Sequence, residues 1–191
     1  IHMYGMLKDD KTAFHLFDEM PQPDLVAWNT IIDSYVNCGK CKEALDLFLR
    51  MVNSGTEPDD ATVVVTLSAC STLGALDFGR RVHSFINRLN LSSSVTVTNS
   101  LIDMYAKCGA FEEAYEMFCK MKGKNIVSWN TMILGLATHG RADDALELFS
   151  KMLKEKLEMP DEVTFLGVLL ACSHGGMVDE GRRYFDVLSK E

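Results

Sequence analysis

Three asparagines occupy one recurring place in this 191-residue sequence. Asn29 lies in VAWNT and Asn130 in VSWNT, while Asn99 lies in TNSLIDMYAKCG, which matches WNTIIDSYVNCG around Asn29. A side-chain amide at such a place offers both a donor and an acceptor, whereas a carboxylate only accepts. Other chemistry is less well supported. Cys38 and Cys41 form a single CxxC, but a structural zinc site needs four ligands and the sequence has no second CxxC and no HxxxH. His83, His139 and His174 share no consistent neighbours and read as surface or packing residues.

The elements that must position the asparagines follow from internal repetition. Two partial copies, VVTLSACSTLG and LGVLLACSHGG, put Val64 and Leu166 where the others have Asn. The anchors at 29, 64, 99, 130 and 166 are spaced 35, 35, 31 and 36 apart, and ten residues after each comes a glycine: Gly39, Gly74, Gly109, Gly140 and Gly176. After each glycine, apolar residues recur at i, i+3, i+4 and i+7, as in Ala44, Leu47, Phe48, Met51 and in Ala145, Leu148, Phe149, Met152. That is one face of a helix. Ala13, Leu16, Phe17 and Met20 repeat the stripe and place a truncated unit at the start. The half before each glycine has its own stripe, for example Trp28, Ile31, Ile32 and Tyr35. Each unit is therefore predicted to be a helix, a glycine turn and a second helix. A single hairpin cannot bury its apolar face, so the chain is expected to be all-α, a stack of hairpins in an α-solenoid. Cys38 and Cys108 then share one packing place before the turn, and Cys70 and Cys172 share another.

The units differ in kind. Residues 1–24 form a partial short unit, 25–59 a standard one, 60–94 a long-type one, 95–125 a short one, 126–161 a standard one and 162–191 an incomplete long-type one. Long-type units carry Gly79 and Gly181 where the others have Ala.

Composition bounds the function. The apolar fraction is 47%, and no apolar run approaches the roughly 20 residues of a membrane span. A net charge of −8 argues against binding nucleic acid through a general positive field, since the only basic clusters are Arg80-Arg81 and Arg182-Arg183. The opening IHMYGM lacks a targeting pattern and reads as an internal boundary of a longer chain. Uncapped apolar ends predict weak self-association.

With a period near 35, the tetratricopeptide pattern fails because Trp28 is followed by Asn-Thr-Ile-Ile. VAWNTIIDSYVNCGKCKEALDLFLRMVNSGTEPD and TNSLIDMYAKCGAFEEAYEMF instead resemble the pentatricopeptide repeat family. MYAKCG and VTFLGVLLACSHGGMVDEGRRYF resemble its land-plant subfamily of alternating standard, long and short units. The resemblance implies a right-handed solenoid that reads single-stranded RNA one base per repeat, through the anchor and the last residue of the unit. Carried onto this chain, the pairs are Asn29 with Asp59, Asn99 with Asn125, and Asn130 with Asp161. Asn with Asp resembles a uracil reader, and Asn with Asn a pyrimidine reader tending to cytosine. Val26, Thr96 and Val127 match positions that sandwich bases between repeats. Val64 with Ser94, and Leu166, lack the amide and should discriminate poorly. KEKLEMPD is one residue longer than its counterpart, which predicts a shift of the Asp161 carboxylate.

The same resemblance implies an organellar role, in chloroplast or mitochondrion, in choosing a cytidine for C-to-U editing. The chain would be an address label and not an enzyme: no His-x-Glu is present to serve a zinc deaminase. No cofactor is expected. A further short unit and C-terminal extension domains usually follow such an ending. Multiple organellar RNA editing factor proteins would be partners, chiefly at long-type units such as 60–94. A purely protein-binding scaffold is the alternative, to which the acidic charge is equally suited.

Overall fold

A computed structural model describes residues 15–91, 94–155 and 158–188, and these form α-helices and turns with no strand. After a helical turn at residues 15–18, the helices are α1 (Leu25–Asn37), α2 (Cys41–Asn53), α3 (Asp60–Leu73), α4 (Leu76–Arg88), α5 (Val95–Lys107), α6 (Phe111–Lys120), α7 (Ile126–Thr138), α8 (Ala142–Glu155), α9 (Glu162–His174) and α10 (Val178–Leu188). The chain divides into two compact units, Ile1–Met104 and Tyr105–Glu191, with α5 crossing the division.

Within the first unit α1 and α2 pair as a hairpin, both pack on α3, and α3 pairs with α4. Within the second, α6 packs on α7, α7 pairs with α8, both pack on α9, and α9 pairs with α10. First helices thus lie against first helices of the next hairpin, as stacking of repeats requires. The five glycines that set the frame all have left-handed backbone, with φ from 63° at Gly74 to 78° at Gly109. Only glycine takes that conformation without steric cost, so each marks the end of a first helix.

The stripes of the second helices bury as the spacing predicts. Ala44, Leu47, Phe48 and Met51 are buried in α2, and Ala145, Leu148, Phe149 and Met152 in α8. Each stripe carries one phenylalanine that turns its ring edge-on to an aromatic of the following hairpin. Phe17 meets Trp28 at 4.7 Å, Phe48 meets Phe78 at 6.3 Å, Phe118 meets Trp129 at 4.9 Å and Phe149 meets Phe165 at 6.0 Å. Edge-to-face pairs at these separations add to the apolar burial.

The earliest stripe differs. Phe17 is buried against Trp28, but Leu16 and Met20 are exposed, and Ala13 falls outside the described residues, as does most of the partial unit at 1–24.

The glycines of the long-type units answer to their neighbours. A Cβ on Gly79 would stand 2.3 Å from the Met104 sulfur, and one on Gly181 would stand 3.3 Å from Cys172 Cβ. The missing side chain at Gly79 on α4 therefore makes room for Met104 on α5, and the one at Gly181 on α10 brings that helix close to Cys172 of α9. The cysteines are packing residues in the same sense: Cys41, Cys70 and Cys172 are buried and Cys38 and Cys108 half-buried, while Cys119 is exposed. Among the described residues no helix is long and apolar enough to cross a membrane.

Candidate functional site

Each first helix needs partners for its unpaired N-terminal N–H groups. Asp59 supplies one for α3: its Oδ1 accepts the Thr62 N–H at 2.9 Å, and its own N–H donates to Thr62 Oγ1 at 3.2 Å. Asp161 does the same for α9, with Thr164 N–H at 2.8 Å and a return bond of 3.1 Å. Asn125 caps α7 in like manner through Ser128.

Stacking then brings an anchor of one hairpin to the cap of the next. Asn29 on α1 donates from Nδ2 to Asp59 Oδ1 at 3.0 Å, across 30 residues of sequence. Asn130 on α7 donates to Asp161 Oδ1 at 2.8 Å. The Thr62 hydroxyl donates back to Asn29 Oδ1, and the Thr164 hydroxyl to Asn130 Oδ1 at 2.6 Å. Two copies of one Asn–Asp–Thr cluster result, one in each unit. The expected displacement of Asp161 does not occur: it caps α9 and accepts from Asn130 as Asp59 caps α3 and accepts from Asn29.

Both carboxylates stay ionised. Burial pushes the Asp59 carboxyl up, but hydrogen bonds from the Thr62 backbone, the Thr62 hydroxyl and the Asn29 amide outweigh it and hold the group below its ordinary value. For Asp161, burial is likewise outweighed by the Thr164 backbone, Asn130 and the Thr164 hydroxyl. A depressed folded pKa adds stability that is present above the unfolded value and lost as pH falls through the folded one. Acid titration should therefore unfold the wild-type chain more steeply below the ordinary carboxylate range than a chain with Asp59→Asn and Asp161→Asn. Melting temperatures measured from pH 7 down to pH 2.5 check this; equal slopes would contradict it.

On each first helix the residue three places before the anchor is exposed. Val26 is 70% exposed and Val127 51%, with Thr96 exposed at the matching place on α5. Ala61 and Val163 are exposed at the same place in the long-type units, which the sequence reading left out although the same count back from the anchor gives them. The asparagines themselves differ from the picture of amides facing an open groove. Asn99 and Asn130 are buried and Asn29 half-buried, and for Asn29 and Asn130 the Asp and Thr of the following hairpin bond both ends of the amide. Asn99 belongs to the first unit and Asn125 to the second. In the long-type units Val64 is half-buried and Leu166 is 58% exposed, while the Ser94 carbonyl accepts the Thr98 hydroxyl at 2.9 Å. His174, read as a surface or packing residue, is exposed and donates to the Ala137 carbonyl at 2.8 Å, which ties α9 to the end of α7.

What the sequence reading missed is the threonine. The D-x-x-T spacing at Asp59–Thr62 and Asp161–Thr164 was a readable signal, but it announces a helix cap and says nothing about an anchor 33 or 34 residues away.

Comparison with known proteins agrees with this architecture. A PPR repeat family model matches residues 23–72 and 124–174, and a PPR repeat model matches residues 96–126. A chloroplastic pentatricopeptide repeat-containing protein of Arabidopsis thaliana is 43% identical over 193 aligned residues, covering 100% of this chain and 26% of the relative. A chloroplastic/mitochondrial one from the same plant is 44% identical, covering 100% of this chain and 30% of the relative. The chain thus spans between a quarter and a third of the length of these relatives. Among solved structures, the pentatricopeptide repeat protein PPR10 from maize superposes with a TM-score of 0.76 at 27% identity, covering 99% of this chain and 28% of PPR10. PPR10 in complex with an 18-nt psaJ RNA element gives a TM-score of 0.73 at 22% identity, over 91% of this chain and 26% of PPR10, a likeness of fold. With its hairpins, its glycine turns and more than half its length matched by the family model, the chain belongs to the pentatricopeptide repeat family.

Proposed function

We propose that the chain binds single-stranded RNA in a sequence-specific way, one base per repeat, through the anchor and the residue that caps the next first helix. The observation that carries this reading is the pairing of an Asn amide with an Asp carboxylate, twice over, beside exposed valines at Val26 and Val127. Asp Oδ1 is committed to the cap and the amide. Among the described residues no side chain donates to Oδ2 of Asp59 or Asp161. A carboxylate oxygen without a side-chain donor next to an amide N–H matches uracil, which offers N3–H to the first and a carbonyl to the second. Cytosine presents an acceptor at N3 and is repelled there. The neutral Asn99 and Asn125 accept either pyrimidine, and Val64 and Leu166 offer no hydrogen bond. The preferred order is U, any, C or U, U, any, from 5′ to 3′. The alternation of unit types in the sequence supports membership of the land-plant subfamily, and the chloroplastic and mitochondrial relatives support an organellar site of action. There it would position a transcript for C-to-U editing by a domain outside residues 1–191.

The net charge of −8 favours a second reading, an α-solenoid scaffold for editing-complex proteins. Fluorescence anisotropy with five-nucleotide RNAs at stated salt separates the two. Base reading predicts weaker binding when either matched U becomes A, whereas a scaffold alone predicts no difference between the RNAs.

A further inference from the structure

The threonine of each cluster has a place that capping alone does not explain. Thr62 and Thr164 are almost completely buried, and each hydroxyl has one proton to share between two acceptors. For Thr62 these are Asn29 Oδ1 and Asp59 Oδ1; for Thr164 they are Asn130 Oδ1 at 2.6 Å and Asp161 Oδ1 at 2.9 Å. The shorter contact in each pair is the one to the amide carbonyl. A cap works without this hydroxyl: Asp24 caps α1 by accepting the Ala27 N–H at 2.8 Å, and Ala27 has no side-chain oxygen.

The sequence places the hydroxyl selectively. At the third residue after the cap of the following unit, Thr62 comes after Asn29, Ser128 after Asn99 and Thr164 after Asn130. After Val64 the same place holds Val97, which is buried. A hydroxyl stands wherever the anchor is an amide, and an aliphatic where the anchor is aliphatic.

We propose that Thr62 and Thr164 are positioning residues for base recognition, holding the Asn29 and Asn130 carbonyls turned inward so that each amide shows its base an N–H. This rests on the base-reading function proposed above. The Asp carboxylate draws the amide nitrogen and the threonine hydroxyl draws the amide oxygen, so the two ends of the amide are fixed from two sides. Without the hydroxyl, the oxygen can turn outward and accept from cytosine N4–H or an adenine amine. Selectivity for uracil at that one base then relaxes.

The test uses Thr164→Ala, a substitution the Ala27 cap shows to be compatible with a first helix, and Thr164→Ser, which restores a hydroxyl. Each chain is titrated with four RNAs that differ only at the base facing Asn130, and each is melted. The expected result is a five- to tenfold fall in the ratio of U to C affinity for Thr164→Ala, an unchanged ratio at the base facing Asn29, and recovery of the ratio in Thr164→Ser. A lower melting temperature with an unchanged ratio would make Thr164 a cap and overturn the proposal. Equal losses in the alanine and serine variants would also overturn it, since packing and not the hydroxyl would then be responsible. A wild-type chain with no base preference at Asn130 overturns the base-reading function, and the positioning role with it.

Discussion

Phe149→Ala should destabilise the second unit by about 3–5 kcal/mol, in the top range for a single truncation in a core. Phe149 is almost completely buried on α8 and holds two further helices. Its ring meets Phe165 of α9 at 6.0 Å and Tyr184 of α10 at 5.5 Å, both edge-on. Truncation removes the apolar burial, both ring contacts and the filling of the space between three helices, and a stack that contacts only its neighbours has few ways to collapse the cavity. For a chain of this size the loss corresponds to roughly 10 °C in Tm. Phe185→Ala on α10 removes a ring that is 57% exposed and should change stability by less than about 0.5 kcal/mol. Thermal unfolding followed by circular dichroism checks the pair. Similar shifts for both variants would contradict the packing described for α8, α9 and α10.

Asn130→Thr should have the largest effect on recognition. Threonine has one short hydroxyl in place of an amide, so the donor to Asp161 and the acceptor for Thr164 both disappear. A neutral amide-to-carbonyl hydrogen bond is worth about 0.5–1.5 kcal/mol, which corresponds to roughly two- to tenfold in affinity for the matched base. Preference for uracil at this base should be lost in favour of a purine, with the base facing Asn29 unaffected. Stability should fall by about 1 kcal/mol, because Thr164 is left with only Asp161 for its proton. Competition binding with RNAs carrying each base at that position measures the change. Uniform weakening over all four bases would mean that Asn130 supports the stack without reading it.

Much of this was legible in the sequence because repetition multiplies weak signals. One glycine after a helical stripe says little, but five at a fixed distance from an anchor required a left-handed residue at the end of each first helix, and all five have it. The stripes of Ala44 to Met51 and Ala145 to Met152 were readable for the same reason, since the later residues of each face the core one or two helical turns from the first. Contacts between repeats were harder to see. Asn29 and Asp59 could be paired only by resemblance, because a bond across 30 residues depends on how far each hairpin advances the stack. The Thr62 hydroxyl was hidden by its second role, as the capping partner of Asp59. The additional residue in KEKLEMPD suggested a displaced carboxylate, yet a loop absorbs length more readily than a capped helix gives up its N–H bonds. The burial of Asn130 also could not be read locally, since Asp161 and Thr164, which bond its amide, come from the following repeat.

The central claim is that the paired Asn and Asp side chains select bases. Selection of the chain's ligands from a randomised short RNA pool, at stated salt and with sequencing of the bound fraction, tests it most directly. The account predicts enriched uridine at two positions three nucleotides apart, facing Asn29 and Asn130, a pyrimidine at the position facing Asn99 between them, and no enrichment opposite Val64. A bound fraction with the same base frequencies as the input pool would contradict it.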